Sequence, residues 1–540
     1  MPDPSTPVRT MCEWSFTTSH AYAEPFTDVR VTATLTSPSG AASVIEAFHD
    51  GDSTWRVRFN PSVPGRWTLS LDSVPPNPDF DLNEQFEVEP AEARGFWRST
   101  PGEAWGFSLE SGEPLFVLGD TVYHLFGMAH NSEAGAAEVR AFMERRAEQG
   151  FNLLRIRLPV SYFHPPDGYN TWQTRRLWPW GGSEQLPRFD QFNLAYFRTV
   201  DTVMHWAEEL GIGVEMIMEA WGNEFPFNSR HIFVAEWEEL WLRYLVARFD
   251  AFGSVAFWTL HNEYEYYPNG DWNYSSNHAC DRWAIRIAHL MRRIAPHGHI
   301  IAIHNGPRMP PFAERFRSDP QVIDTVMFQD WGDRGEAEGW LATGIEEQIG
   351  QSLDGWPGSA ILSEYGYEFN PDLPRMMLSH EHCGPEHTRR GAWRGAMSGL
   401  GIIHGFANSW GPFQVLDQDQ RGLEYLLHLR AFFTDVVPFE RLRPVAGLAH
   451  GNDSRRGYQP IALATPERDI VVVYLPTGGD VTMEIDEIDL EGFEGQWFDP
   501  RTGDLIDPGV RTGTAFMPPE RPQGEHPDDW VLVLRKGRDS

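Results

Sequence analysis

The sequence has almost no lysine and very little cysteine. Lys536 is its one lysine, and 44 basic against 77 acidic side chains give a formal net charge of −33. So acidic a chain, without a basic patch, repels phosphate backbones and anionic lipid, which excludes nucleic acid as an expected partner. The three cysteines, Cys12, Cys280 and Cys383, are odd in number and far apart. This pattern does not suit a disulfide framework or a cysteine zinc site and favours a reducing compartment.

Long apolar runs and targeting signals are also missing. No stretch approaches the roughly 18 apolar residues that a membrane helix needs. The first 15 residues lack the basic region and apolar run of a signal peptide. We therefore expect a soluble, cytoplasmic protein without a membrane partner, although a signal peptide removed beforehand would leave the same pattern.

Motifs for nucleotides and metals are absent as well. The first predicted strand of the central region covers residues 115–120 (LFVLGD). Residues 119–121 at its end read GDT, where a doubly wound nucleotide-binding sheet would carry G-x-G-x-x-G, and no H-E-x-x-H occurs in the sequence. The richest run of potential metal ligands, His380 to His387, places one cysteine among scattered histidines, which favours a polar loop over a zinc site. The sequence predicts no cofactor and no metal.

Aromatic residues, in contrast, are abundant. They make up 13% of the 540 residues and include 22 tryptophans. Aromatic rings suit the C–H faces of sugars, although large barrels also use tryptophan in their cores, and most of these residues fit that second use.

The rhythm of apolar residues divides the chain into three regions. Residues 1–95 contain short alternating runs separated by Pro, Gly, Asp and Asn, which predicts an N-terminal β-sandwich. Residues 96–437 alternate eight buried strands with helices, which predicts a (β/α)8 barrel; a doubly wound sheet is the alternative and lacks its glycine turn. Residues 438–540 return to alternating strands and predict a C-terminal antiparallel β-domain.

Two predicted barrel strands end on glutamates. Ser254 to Glu263 reads SVAFWTLHNE, and Ser359 to Glu364 reads SAILSE. Because the carboxyl ends of barrel strands converge, these two carboxylates are candidates for the general acid and the nucleophile of glycosidic bond cleavage. Asn262 can bind a sugar hydroxyl. Arg155, at the end of another strand, can pair with Glu364 and favour its ionised form.

Each candidate also has a structural interpretation. A glutamate that closes a strand is most often a solvated loop carboxylate, and Glu265 or Glu368 is expected to be no more than that. His261 fits a buried core histidine as well as a substrate ligand. Arg157 fits a structural ion pair.

The segments GFNLLRI, WTLHNEY and LSEYGYE resemble those of clan A glycoside hydrolases. FVLGDTVYHLF, together with the endings VYLPTGG and GQWFDPRTGDL, is similar to the apiosidase-like family and to related families of unknown function that share this three-domain layout. The resemblance implies a retaining glycoside hydrolase with Glu263 as acid/base, Glu364 as nucleophile, Asn262 as hydroxyl partner and Arg155 as supporting cation. Tyr123 stands where those relatives often have tryptophan, and residues 329–331 (QDW) stand where they have a Ser-Gly-His type sequence, so the activity of the named family does not transfer.

We expect an exo-acting enzyme with a carbohydrate substrate, because a cytoplasmic enzyme meets short oligosaccharides or glycosides. The alternatives are an endo-acting glycanase, a transglycosylase or lyase that reuses the site, and a noncatalytic carbohydrate-binding protein. The oligomeric state is open, with a homo-oligomer among the options. The other residues expected to contact the sugar are Asp120, Tyr123, His124, Glu219, Trp221, His304, Asp330, Trp331 and Trp410.

Overall fold

The computed structural model describes most of the chain. The described residues are 5–159, 178–183, 186–219, 233–267, 278–306, 309–329, 345–370, 383–409, 416–451, 459–476, 481–483, 488–506, 515–519 and 529–537. Within them, no helix is both long and apolar enough to cross a membrane.

Two β-sheets form the first region. Its strands are β1 (Ser5–Pro7), β2 (Cys12–Thr17), β3 (Arg30–Thr36), β4 (Ala42–Glu46), β5 (Phe48–His49), β6 (Thr54–Phe59), β7 (Gly65–Val74) and β8 (Asn83–Glu89). One sheet has the order β1-β8-β7-β3-β4 and the other β2-β6-β5. Alternate residues of each strand face the partner sheet, so Trp14, Leu35, Val57 and Leu69 share one core. This is the predicted sandwich.

Eight parallel strands close into a barrel in the central region. They are β11 (Leu118–Thr121), β12 (Leu153–Arg157), β15 (Gly213–Ile217), β16 (Val255–Thr259), β17 (Ile300–His304), β18 (Thr325–Gln329), β19 (Ser359–Glu364) and β21 (Gly401–Phe406). Each pairs with the next, and β11 pairs with β21 to complete the circle. The predicted fold class, a (β/α)8 barrel between two β-rich regions, is therefore confirmed.

Helices surround this barrel and short strands flank it. The helices are α1 (Leu125–Asn131), α2 (Glu133–Glu148), α3 (Leu194–Leu210), α4 (Ala235–Phe249), α5 (Ala279–Ile294), α6 (Phe312–Arg315), α7 (Ile345–Ser352), α8 (Pro385–Met397) and α9 (Gly422–Ala431). The flanking strands are β9 (Trp97–Ser99), β10 (Phe107–Leu109), β13 (Trp180–Gly182), β14 (Pro187–Phe192) and β20 (Tyr367–Glu368). The hairpin of β9 and β10 joins the inner core of the barrel, since Trp97 and Phe107 pack against Phe257.

The last region is also built from two sheets. Its strands are β22 (Arg443–Pro444), β23 (Ala449–Gly451), β24 (Ile461–Ala464), β25 (Ile470–Leu475), β26 (Val481–Met483), β27 (Phe493–Phe498), β28 (Leu505–Ile506), β29 (Ala515–Phe516) and β30 (Trp530–Lys536). The larger sheet contacts α8, where Trp393 stacks on Tyr474 with ring centroids 5.6 Å apart. In the same interface Arg389 Nη2 lies 2.8 Å from Asp529 Oδ1. Both side chains are buried, so this ion pair is part of the junction between barrel and β-domain.

Candidate active site

The centre of the site is the carboxylate of Glu364 at the last residue of β19. Its Oε1 accepts hydrogen bonds from Tyr123 Oη and from Arg155 Nη1, each at 2.7 Å. Nε2 of His304 lies 3.5 Å from the same oxygen. Glu364 is 7% exposed, whereas Arg155 and His304 are fully buried. One oxygen of Glu364 is thus anchored by groups from three other parts of the barrel.

Arg155 joins the strand ends to one another. It is an inward residue of β12 and donates from Nη2 to Asn262 Oδ1, in addition to its ion pair with Glu364. Its Nε lies 3.4 Å from the carboxylate of Glu215 on β15, and that carboxylate also accepts from Thr259 at 2.9 Å. A planar guanidinium with several donors suits such a junction better than a lysine would.

Glu263 follows β16 and takes an uncommon backbone conformation. Its φ is 54° and its ψ is 60°, in the left-handed region that a residue with a Cβ rarely adopts. Gln329 Nε2 donates to Glu263 Oε1. Burial, followed by the nearby charge of Glu364, raises the pKa of Glu263 to about 8, although the Gln329 donor acts in the opposite direction. A carboxyl group that stays protonated at neutral pH is suited to act as a general acid.

The ring of His304 lies between the two glutamates. Its Nδ1 accepts a hydrogen bond from the backbone N–H of Glu263 at 3.2 Å, and its Nε2 faces Glu364. Burial, with the positive charges of Arg155 and Arg157, holds the pKa of His304 well below its usual value. The imidazole is therefore neutral.

Tyrosine and arginine side chains line the site next to Glu364. The hydroxyls of Tyr123 and Tyr367 lie 3.2 Å apart, and the guanidinium of Arg157 stacks on the Tyr123 ring at 3.8 Å. His124 is buried beside them, and burial, with a smaller effect from Arg157, lowers its pKa to about 3. The carbonyl of Glu219 accepts the backbone N–H of Asn262 at 3.0 Å. Tyr123, His124 and Glu219 thus lie at the carboxyl end of the barrel, and their contact with a sugar stays a prediction.

Asp120 is a correction to the sequence analysis. It is fully buried and accepts from Arg146 of α2 at 2.8 Å, on the helix side of β11. Its neighbour Gly119 faces the barrel interior, since a Cβ there would meet Ile403 at 2.9 Å. Successive residues of a strand point to opposite faces, so Asp120 cannot reach a sugar.

The prediction of solvated carboxylates for Glu265 and Glu368 is also wrong. Glu265 is fully buried, with Arg315 Nη1 2.6 Å from its Oε1. Glu368 is 2% exposed and accepts from Thr388 Oγ1 at 2.7 Å. His261 packs its ring edge-to-face on Trp283 of α5, which agrees with the core interpretation.

Sequence analysis did not identify Glu215 and Tyr367 as part of this cluster. Glu215 is an acidic residue in the middle of an apolar strand, GVEMI, and such a residue requires a buried partner. Tyr367 follows Glu364 by three residues in SEYGYE, and its distance to Tyr123 depends on the pairing of β20 with β21. The first signal was readable from the sequence and the second was not.

Four predicted site residues, Trp221, Asp330, Trp331 and Trp410, lie outside the described residues, as do His380 and its neighbours up to 382. Of the predicted loop, the described part includes His387, whose Nε2 lies 2.7 Å from the Tyr365 carbonyl oxygen. Among the side chains that the structure describes, no group of three or more His, Cys, Asp or Glu could hold a metal ion.

Solved structures share this architecture. A protein named "putative glycoside hydrolase" from Bacteroides vulgatus ATCC 8482 superposes with a TM-score of 0.71 at 18% identity, over 99% of this chain and 100% of that one. A glycoside hydrolase family 5 protein from the same organism gives a TM-score of 0.58 at 17% identity, over 82% of this chain and 94% of that one. A third structure, named glycoside hydrolase, gives 0.60 at 17% identity, over 82% and 97%. The fold is therefore the barrel of these three proteins, flanked in this chain by two β-rich regions.

The family assignment is narrower. Residues 106–420 match the model "Apiosidase-like, catalytic domain", which covers more than half of the chain, so the chain belongs to the apiosidase-like family. Residues 10–74 match a domain of unknown function, DUF5060, and residues 450–535 match "Putative collagen-binding domain of a collagenase". The comparison with curated proteins finds no match.

Proposed function

We propose that this chain is a retaining, exo-acting glycoside hydrolase, with Glu364 as nucleophile and Glu263 as acid/base. The observation that carries the proposal is the contrast between the two carboxyl groups. Among the described residues, Glu364 Oε1 accepts hydrogen bonds from Tyr123 and Arg155 and has Nε2 of His304 3.5 Å away, and such neighbours suit a carboxylate nucleophile. Glu263 has its pKa raised by burial and by the charge of Glu364. Two carboxyl groups whose environments differ in this way suit double displacement.

In the first step, a carboxylate oxygen of Glu364 attacks the anomeric carbon. The bond from that carbon to the leaving oxygen breaks, and the proton of Glu263 moves to the departing oxygen. Because Oε1 is occupied by donors, we assign the attack to Oε2. We assign to Asn262, whose Oδ1 accepts from Arg155 and whose N–H donates to the Glu219 carbonyl, the binding of the hydroxyl next to the anomeric carbon.

In the second step, water attacks the anomeric carbon of the glycosyl ester. Glu263, now a carboxylate, takes the proton from that water, and the ester bond to Glu364 breaks. The sugar leaves with its original anomeric configuration, and both carboxyl groups return to their starting states.

The exo mode and the cytoplasmic location are part of the same proposal. Glu364 is 7% exposed and contacts Tyr123, whose hydroxyl lies 3.2 Å from that of Tyr367, and so restricted a site suits the terminal residue of a short oligosaccharide or glycoside. All three cysteines are buried free thiols, which supports a reducing compartment. Because of the family name, apiosides are included among the first substrates to be tested. They are given no preference over other sugars.

A screen of nitrophenyl furanosides and pyranosides of both anomers tests the activity. We expect cleavage of at least one member and, by proton NMR, a first-formed product with the anomeric configuration of the substrate. Glu364→Gln should abolish turnover, and azide should partly restore that of Glu263→Ala by forming a glycosyl azide. An inverted first product would contradict the retaining mechanism, and cleavage of internal bonds of a long glycan would contradict the exo mode.

A further inference from the structure

We infer that His304 is a positioning residue that holds both catalytic glutamates through the two nitrogens of one ring. This inference rests on the proposed function. His304 closes β17, the strand next to the one that carries Glu263, and its ring is fully buried. It needs no proton exchange during the reaction. Its role is to fix the position of the acid/base relative to the nucleophile.

The tautomer of His304 follows from its neighbour. A backbone N–H can only donate, so Nδ1, which receives the N–H of Glu263 at 3.2 Å, carries no proton. The proton of the neutral ring is therefore on Nε2. That nitrogen is buried and has no hydrogen-bond partner in the described part of the chain, and Glu364 Oε1 lies 3.5 Å from it.

The contact with Glu263 explains a backbone conformation that is otherwise costly. A non-glycine residue at φ 54° is held there by its surroundings, and the N–H of Glu263 points at His304 because of that conformation. A relaxed backbone would redirect the Glu263 side chain away from Gln329. The same ring presents its Nε2–H to Glu364, the proposed nucleophile. A displacement of either glutamate would therefore disturb its contact with a ring that the other glutamate also holds.

The charges around the ring keep it in this state. Burial disfavours protonation, and Arg155 and Arg157 of β12 and His261, which follows β16, act in the same direction. The facing acidic group is Glu364 of β19. Glu263 in turn faces Glu364, Glu265 and Arg157. A neutral ring with one defined tautomer is the form that can accept from one glutamate and donate to the other.

Two substitutions separate the two contacts. His304→Asn can place an amide oxygen near the position of Nδ1 and keep the Glu263 contact, but it is too short to reach Glu364. His304→Gln can place an amide nitrogen near the position of Nε2 and keep the Glu364 contact, but it offers no acceptor to the Glu263 amide. The readout is kcat/KM for 2,4-dinitrophenyl and 4-nitrophenyl glycosides of the sugar that the wild-type enzyme cleaves, because only the poorer leaving group depends strongly on the general acid.

We expect His304→Gln to lose about 10-fold more activity on the 4-nitrophenyl than on the 2,4-dinitrophenyl glycoside, because its acid is misplaced. His304→Asn should lose about 10-fold or more on both, because its nucleophile has lost a donor. His299 provides the matched control. It is a buried histidine just before β17, at the opposite end of the barrel, with Nε2 2.7 Å from the Asp250 carbonyl oxygen. His299→Asn and His299→Gln should change stability without changing the ratio of the two rates.

If the His304 variants behave like the His299 variants, with a lower melting temperature and an unchanged rate ratio, the inference is wrong. Its failure differs from failure of the proposed function. If the proposed function fails, Glu263→Gln and Glu364→Gln keep wild-type activity, or no glycoside is cleaved. If only the inference fails, both glutamate variants are inactive, while His304→Asn and His304→Gln leave the ratio of the rates on the two glycosides unchanged.

Discussion

Arg155 Nη1 lies 2.7 Å from Glu364 Oε1 and 2.7 Å from Tyr123 Oη, so one terminal nitrogen of a buried arginine contacts both. Arg155→Lys keeps the positive charge but cannot contact Glu364, Asn262 and Glu215 together. We expect kcat/KM to fall about 100-fold, in the range for loss of a positioned donor. Urea unfolding of the same sample separates this effect from a loss of stability.

A second variant at this position tests the buried charges. Arg155→Met leaves Glu215 and Glu364 without their cation, which should cost roughly 3–5 kcal/mol of unfolding free energy. Wild-type activity in Arg155→Lys, or wild-type stability in Arg155→Met, would contradict the central role of this residue.

Tyr123→Phe removes only the hydroxyl that donates to Glu364. We expect kcat to fall about 10-fold or more, since the oxygen that it contacts belongs to the proposed nucleophile. Tyr474→Phe is the control, because it removes an equally buried hydroxyl that donates to Asp529 at 3.1 Å in the C-terminal region. Steady-state kinetics of the two variants should differ even where their melting temperatures do not. Equal activities would argue against a role of Tyr123 at Glu364.

Gln329→Leu tests the protonation of Glu263. Activity requires the protonated acid, so kcat/KM falls as pH rises through its pKa, which burial and the charge of Glu364 raise to about 8. The Gln329 donor stabilises the ionised form and lowers this pKa. Its removal should therefore move the basic limb of the pH profile upward, by about one pH unit for a hydrogen bond to a charged group.

Thr325→Val is the control for that measurement, because Thr325 is buried at the opposite end of the same strand, β18. Its pH profile should match that of the wild type. A basic limb of Gln329→Leu that stays in place or moves to lower pH would contradict the assignment of Glu263 as the acid.

Much of the fold could be predicted because buried parallel strands are continuous apolar runs with clear ends. The predicted strand of residues 359–364 matches β19 (Ser359–Glu364) residue for residue. The ends of such runs also indicated Glu263 and Glu364. The first strand was less clear: its prediction covered residues 115–120, whereas β11 is Leu118–Thr121 and the short helix α1 follows. A continuous apolar run does not show which face each residue takes, and this is why Asp120, which lies inside β11 and points to the helix side, was misassigned.

Contacts between residues of distant strands could not be predicted from the sequence. Gln329 closes β18, but its donation to Glu263 depends on the left-handed backbone at Glu263. Nothing in the string HNEY indicates a positive φ. The burial of Glu265 likewise depends on Arg315 of α6, 50 residues later in the chain.

Asp529→Asn tests the junction between the barrel and the C-terminal region. Asp529 is fully buried, and although burial opposes this, Arg389 and the Tyr474 hydroxyl lower its pKa below the ordinary value. The asparagine leaves Arg389 buried without a counter-charge, so at pH 7 the unfolding free energy should fall by roughly 3–5 kcal/mol. A carboxyl group with a lowered pKa in the folded state stabilises the protein above its unfolded pKa of about 3.9 and loses that contribution as pH falls further. Urea titrations at pH 7 and below pH 4 should therefore show a large difference in unfolding free energy between wild type and Asp529→Asn at pH 7, and this difference should narrow in acid.

Glu467→Gln, which changes an exposed partner of Arg441, is the control and should leave the urea midpoint unchanged at both pH values. Equal stability of Asp529→Asn and wild type at pH 7 would show that this ion pair does not hold the two regions together.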